Sequence, residues 1–232
     1  MPHAIIVAHG QPSDPEPAEA SLATFAAEVN ALAADVSVHS ATLANSDALE
    51  EVMDSLPHDT VIYPLFMAKG WFVTSALPKR IGDRNLRILS PLGTDPMLPD
   101  LVSDALKSAL KENDWSATAS DLIVAAHGSG RSRNPSAVAN DFAEQLSQRM
   151  TFRSIRVGFV EEPPSISDAA NGVSDQSLCL PFFACRGGHV LEDVPEELNK
   201  ARFRGIVLPV IGELPPIKRQ IADTLQAAFS AA

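Results

Sequence analysis

Residues 122–146 read LIVAAHGSGRSRNPSAVANDFAEQL, and the chain has already said nearly the same thing once: AIIVAHGQPSDPEPAEASLATFAAEV occupies residues 4–29. Each copy is a short, wholly apolar run that breaks at His-Gly, crosses a polar loop and re-enters a segment with helical spacing. A second echo joins YPLFMAKGWFVTSALPKRI (63–81) to LPFFACRGGHVLEDVPEEL (180–198). A third joins LRILSPLGTDPMLPDLVSDALKSAL (86–110) to RGIVLPVIGELPPIKRQIADTLQAAF (204–229). His9 aligns with His127, Pro64 with Pro181 and Gly93 with Gly212, in one order and at nearly one offset. Self-similarity of this kind marks a duplicated unit. It divides the chain into lobes 1–115 and 116–232, with the boundary in the polar stretch KENDWSATASD.

Within each half, apolar runs alternate with helical periodicity. AIIVA, DTVIYPL and LRILSP in the first half, and DLIVAA, IRVGFV, SLCLPFF and GIVLPVI in the second, suit parallel strands covered on both faces. DVSVHSATL is a weaker strand with alternating character. Leu22, Phe25, Ala26, Val29, Leu32 and Ala33 recur at helical spacing, as do Leu98 to Ala109 and Ile217 to Phe229. Asn134-Pro135 reads as a helix cap followed by proline in the first turn. The expected fold is α/β: two homologous lobes, each a parallel sheet of about four strands flanked by helices, with a cleft between them.

Ligands of open parallel sheets bind beyond the carboxyl ends of the strands. In the second half the polar residues there are His127 after the first strand, Glu161 and Glu162 after the second, and His189 just beyond the third. Two imidazoles and a carboxylate suit a borderline divalent metal such as cobalt, iron, nickel or zinc. The first half keeps His9, but Phe72 stands where His189 aligns, and SATLAN offers no acid where FVEEPP has two. Its site reads as degenerate, with Trp71 and Phe72 as walls for a flat ligand. Gly187 and Gly188 can take positive φ and let a large ligand near the backbone. Arg186 offers a fork for carboxylates and is expected to lower the pKa of Cys185. Cys179 reads as a small buried hydrophobe.

The net charge of −11 weighs against nucleic acid as a partner. Any anionic ligand must be met by local basic residues. No apolar run approaches the ~18 residues of a membrane span. Two cysteines make no disulfide framework. The opening MPHAIIVAHG has neither a basic region nor a cleavage site of a signal peptide, so the expected location is cytoplasmic.

LIVAAHGSGRSRNP, then VGFVEEPPSI, then CLPFFACRGGHVLEDVPEEL resemble the sirohydrochlorin chelatases, the CbiX-like class II group of cobaltochelatases and ferrochelatases. The resemblance covers nearly the whole chain, since the first half repeats the pattern in weaker form. It implies an enzyme, a lyase, that inserts a divalent metal into sirohydrochlorin in cobalamin or sirohaem biosynthesis. It implies that His127 and His189 bind the metal, with Glu161 as the acid and Glu162 as its rival. Some members of the family carry the working pair in the first half, and here Phe72 breaks that pattern. Arg131, Arg133, Arg186 and Lys69 would pair the substrate's carboxylates, with Gly187, Gly188 and His9 beside it. No prosthetic group is implied; the metal (cobalt, iron or nickel) is a substrate. A monomer whose halves pair internally is expected, with no membrane partner. Two other readings compete. One is a non-catalytic carrier of metal or tetrapyrrole. The other is a phosphoryl-transfer enzyme, because HGSGRSRN could cradle an anion. Histidine phosphatases usually have arginine before His-Gly, where this chain has Ala8 and Ala126.

Overall fold

A computed structural model of the chain describes residues 1–130 and 134–230. The first repeat runs β1 (His3–Ala8), α1 (Pro15–Leu32), β2 (Ser37–Thr42), α2 (Ala48–Ser55), β3 (Val61–Pro64), α3 (Leu77–Ile81), β4 (Arg87–Ile88) and α4 (Leu98–Glu112). The second runs β5 (Asp121–Ala126), α5 (Asn134–Ser147), β6 (Ser154–Phe159), α6 (Ile166–Ala170), β7 (Ser177–Phe182), α7 (Val194–Lys200), β8 (Ile206–Val207) and α8 (Pro215–Ser230). The strands form two four-stranded parallel sheets of matching order, β2-β1-β3-β4 and β6-β5-β7-β8. The expected α/β class and strand number are thus met.

The burial pattern explains why the strands read as unbroken apolar runs. In β1, Ala4 and Ile6 are as fully buried as Ile5 and Val7, and β5 is buried at every position. Both faces of each central strand are covered, so no polar alternation survives. One face of the first sheet packs Ile5, Val7, Ala41 and Ile62 against Leu49, Met53, Leu77 and Ile81. The matching face of the second packs Ile123, Ala125 and Cys179 against Ile166, Ala169, Val194 and Leu198. Burial holds the Cys179 thiol protonated, with its pKa pushed up to about 12. Gly93 and Gly212 are repeat-equivalent for a steric reason. A Cβ on either would lie 1.8 Å from a backbone carbonyl oxygen, that of Met67 or of Ala184.

Compactness divides the chain differently from repetition. One unit comprises Met1–Asp95 with Pro215–Ala232, and the other Pro96–Leu214. Helix α8 therefore belongs with the first sheet, where it meets α1, and α4 belongs with the second, where it meets α5. Each unit takes the closing helix of the other repeat. Among the described residues no helix is long and apolar enough to cross a membrane.

The second sheet begins on a buried acid. Asp121 opens β5 and is 1% exposed. Its carboxylate accepts hydrogen bonds from the Arg153 guanidinium, from Ser154 Oγ at 2.7 Å and from Ser174 N at 3.0 Å. Burial alone would raise its pKa, but these donors together outweigh it and hold the carboxyl below its usual 3.8. Because the folded pKa is depressed, the stabilisation is present in full above the ordinary carboxylate value and is lost as pH falls below it. Replacing Asp121 by Ala leaves three donors without their shared acceptor. Chemical denaturation should show a loss of about 2–3 kcal/mol at neutral pH. The difference from wild type should shrink on acidification below about pH 4.

Candidate metal centre

The hydrogen-bond register of the second sheet builds the site. Ala126, the last residue of β5, is level with Phe159 of β6 and with Phe182 of β7. The parallel ladder then continues past the strands: Val160 N donates to Ala126 O at 3.1 Å, and Glu161 N to His127 O at 3.0 Å. Glu161 is thereby held beside His127. From β7 the chain passes through Gly187 and Gly188 into a π-helical turn, His189–Asp193, closed by Val194 N donating to His189 O. This turn brings His189 back over the same rim. His127, Glu161 and His189 each offer one ligand atom, and these atoms all lie within 4.8 Å of one another. The two rings meet edge to face, with centroids 4.3 Å apart and planes at 85°.

The tautomers follow from the hydrogen bonds. His127 Nδ1 lies 2.9 Å from Gly128 O, which can only accept, so Nδ1 carries the proton. His189 Nδ1 donates to Asp193 Oδ2 at 2.6 Å. Each ring therefore keeps Nε2 as its lone-pair nitrogen, which is the form a metal ligand requires. Asp193 is not among the site residues expected from the sequence. Its spacing four residues beyond His189 was the available signal, since side chains so placed meet on one side of a helical turn.

The choice between the neighbouring acids is also geometric. Glu162 turns inward, and its Oε1 accepts from Ser129 N at 2.7 Å. Gly128, at φ +69°, is pressed against it, so that a Cβ would lie 2.8 Å from Glu162 Cγ. Glu162 braces the loop after His127, while exposed Glu161 is the acid in the cluster.

Other expectations need correction. Gly188 is right-handed helical at φ −50°, and Gly187 is not among the positive-φ glycines. What Gly187 provides is room, since a Cβ there would meet nothing within 4 Å. Arg186 does not lower the Cys185 pKa. Burial and the nearby Glu213 carboxylate push that thiol up to about 11. Arg186 itself is half-exposed and bonds Glu213 Oε2 at 2.8 Å. Arg131 and Arg133 lie outside the described residues. His9 and Lys69 belong to the other compact unit.

That unit repeats the scaffold without the donors. Ala44 N donates to His9 O at 2.8 Å, as Glu161 N does to His127 O. Phe72 opens the equivalent π-helical turn, Phe72–Ala76, and its ring lies 4.2 Å from that of His9. The trio His127, Glu161, His189 thus corresponds to His9, Ala44, Phe72, and Asp193 corresponds to Ala76. Phe66 stacks on Phe72 at 5.9 Å, and exposed Trp71 meets it edge-on at 5.3 Å. An aromatic cluster stands where the second repeat carries its candidate donors.

A duplicated parallel α/β fold with two imidazoles and a carboxylate on one rim defines a protein built to hold a borderline divalent metal. The CbiX family model matches residues 3–109 and again 121–228, and the chain belongs to that family. It is similar to a solved CbiX described as the terminal enzyme for siroheme biosynthesis in denitrifying bacteria. The identity is 42%, the TM-score 0.88, and the match covers 98% of this chain and 99% of that one. A probable sirohydrochlorin cobaltochelatase of Halobacterium salinarum is 21% identical over 83% of this chain and 75% of its own length. SirB from Bacillus subtilis, solved with Fe3+, shares the fold at 15% identity and a TM-score of 0.75, over 98% of this chain and 96% of that one.

The Asp193 contact yields a test. Asp193→Ala should weaken cobalt(II) binding about 10- to 100-fold in spectroscopic titrations, because the imidazole loses its orienting acceptor. Asp193→Asn should recover part of the loss, since an amide oxygen still accepts from Nδ1. Unchanged affinity in the alanine variant would remove Asp193 from the site.

Proposed function

We propose that this chain is a chelatase that inserts a divalent metal, cobalt or iron, into sirohydrochlorin on the route to cobalamin or sirohaem. The observation that carries the reading is the convergence of His127, Glu161 and His189. The CbiX family membership and the names of the relatives support the same reaction. The second repeat is the working copy, since the first retains only His9 of the three donors.

The chemistry asks for two things. The metal must shed water, and the macrocycle must lose two N–H protons. His127 and His189 take the ion through Nε2, replacing part of its hydration shell, while open coordination positions remain for the incoming ring nitrogens. Glu161, exposed at the rim, completes the ligand set and accepts one of the two pyrrole N–H protons as the ion leaves it, the other passing to solvent water. The eight carboxylates of sirohydrochlorin meet a protein of the same net sign, so local cations matter. Arg186 is the first of these. Its surface pair with Glu213 is weak enough to be exchanged for a substrate carboxylate. Arg131 and Arg133, which follow His127 in sequence, are assigned the same role. Gly187 leaves space for the edge of the ring.

An anaerobic absorbance assay with sirohydrochlorin and each metal in turn tests the proposal. Multiple turnovers are expected; binding without turnover would make the chain a carrier. His189→Ala should lose most of the activity and Glu161→Gln about a hundredfold. His9→Ala should retain more than either. A His189→Ala variant as active as wild type would overturn the site.

A further inference from the structure

A second pair of histidines lies in the other compact unit, and the reaction proposed above makes no use of it. His3 opens β1 and His39 lies midway along β2, with His3 paired to Ser37 and Ile5 to His39 in the parallel register. The two imidazoles are neighbours on one face of the sheet. His3 Nδ1 and His39 Nε2 are 3.0 Å apart, the ring centroids are 5.3 Å apart, and the planes are inclined by only 26°. Ser37 Oγ lies 3.3 Å from the same His39 nitrogen. Both rings are partly buried, so the side chains are held by the strands rather than free in solvent.

His3 Nδ1 and His39 Nε2 are within hydrogen-bond distance of each other. The same spacing suits chelation, because two imidazoles bound side by side at about 2.1 Å place their nitrogens about 3 Å apart. We propose that His3 and His39 form a second metal site, for a borderline divalent transition ion such as nickel(II), copper(II) or zinc(II). In this site each ring carries its proton on the nitrogen turned away from the ion, and water completes the coordination. The serine hydroxyl is positioned to hydrogen-bond one of those waters. The net charge of −11 raises the local concentration of cations around the whole chain. An ion at this position bridges β1 to β2 and so stabilises the folded unit by linkage.

The site does not depend on the chelatase reading, and the test separates them. Equilibrium dialysis with nickel(II) alone, on protein without a polyhistidine tag, is first done on the double variant His127→Ala/His189→Ala, in which the rim site is disabled. That variant should still bind one ion per chain and should melt at a higher temperature with nickel than without. Adding His39→Asn should abolish that binding or weaken it by about tenfold or more, and remove the thermal shift. His3→Gln, at the first residue of its strand, should do the same. It carries the test if the circular dichroism of the His39 variant is not native. Absence of nickel binding in the double variant would overturn the proposal, as would binding indifferent to both the His3 and His39 substitutions.

Discussion

The site rests on one constraint: the backbone ladder that ties β5 to both of its neighbours. Ala126 is in register with Phe159 on one side and Phe182 on the other, so three strands end at the same level. The ladder runs on for two further bonds on the β6 side, which places Glu161 opposite His127 before any side-chain interaction is considered. Distant parts of the sequence become neighbours because parallel strands all present their carboxyl ends on one edge. The side chains then need only small adjustments: a backbone carbonyl fixes one imidazole, Asp193 fixes the other, and Glu162 holds the loop between them. Preorganisation of this kind is achieved by the scaffold, and the ligands inherit it.

The first repeat shows the same constraint separated from the chemistry. Its ladder also continues past the strands, its His-Gly turn is also left-handed at Gly10, and its π-helical turn is also present. Yet Ala44, Phe72 and Ala76 have replaced the acid, the second imidazole and that imidazole's orienting partner. Without the histidine there is no imidazole for the aspartate to orient, and a half-exposed acid with no partner adds little to stability. A ring at Phe72 fills the volume that the imidazole would occupy, at almost the same distance from its neighbouring histidine. Packing was conserved between the copies while coordination was not.

What could be read from sequence, and what could not, follows the range of the interactions involved. The duplication, the strand runs and the trio His127, Glu161, His189 were legible because each rests on a local pattern plus one topological rule. The preference for Glu161 over Glu162 was not decidable locally. It depends on which carboxylate turns toward Ser129 N, a contact made across the loop. Asp193 was not singled out, since its partner becomes clear only once the fold sets its carboxylate 2.6 Å from His189 Nδ1. The Cys185 thiol was misjudged because an adjacent arginine is conspicuous in sequence, whereas burial and Glu213 come from elsewhere in the fold. The exchange of α4 and α8 between the units lay furthest from view. An amphipathic helix declares that it needs a sheet to cover, but nothing in its spacing says which of two similar sheets.

A metal that is cargo imposes requirements opposite to those of a structural ion. A closed site with four protein ligands would hold the metal through folding and fail to release it. The rim offers three candidate donors instead, two imidazoles and one carboxylate. His127 and His189 are partly exposed and Glu161 is exposed. That set is sufficient to strip part of the hydration shell and leaves positions vacant for ring nitrogens, which complete a planar set the protein cannot match. The direction of transfer is then set by chelation: four nitrogens in one macrocycle displace ligands that come from three separate strands' ends. Tightening the site with a fourth protein ligand would raise metal affinity and slow delivery. The openness of the rim is accordingly a requirement of the reaction rather than a defect of the fold.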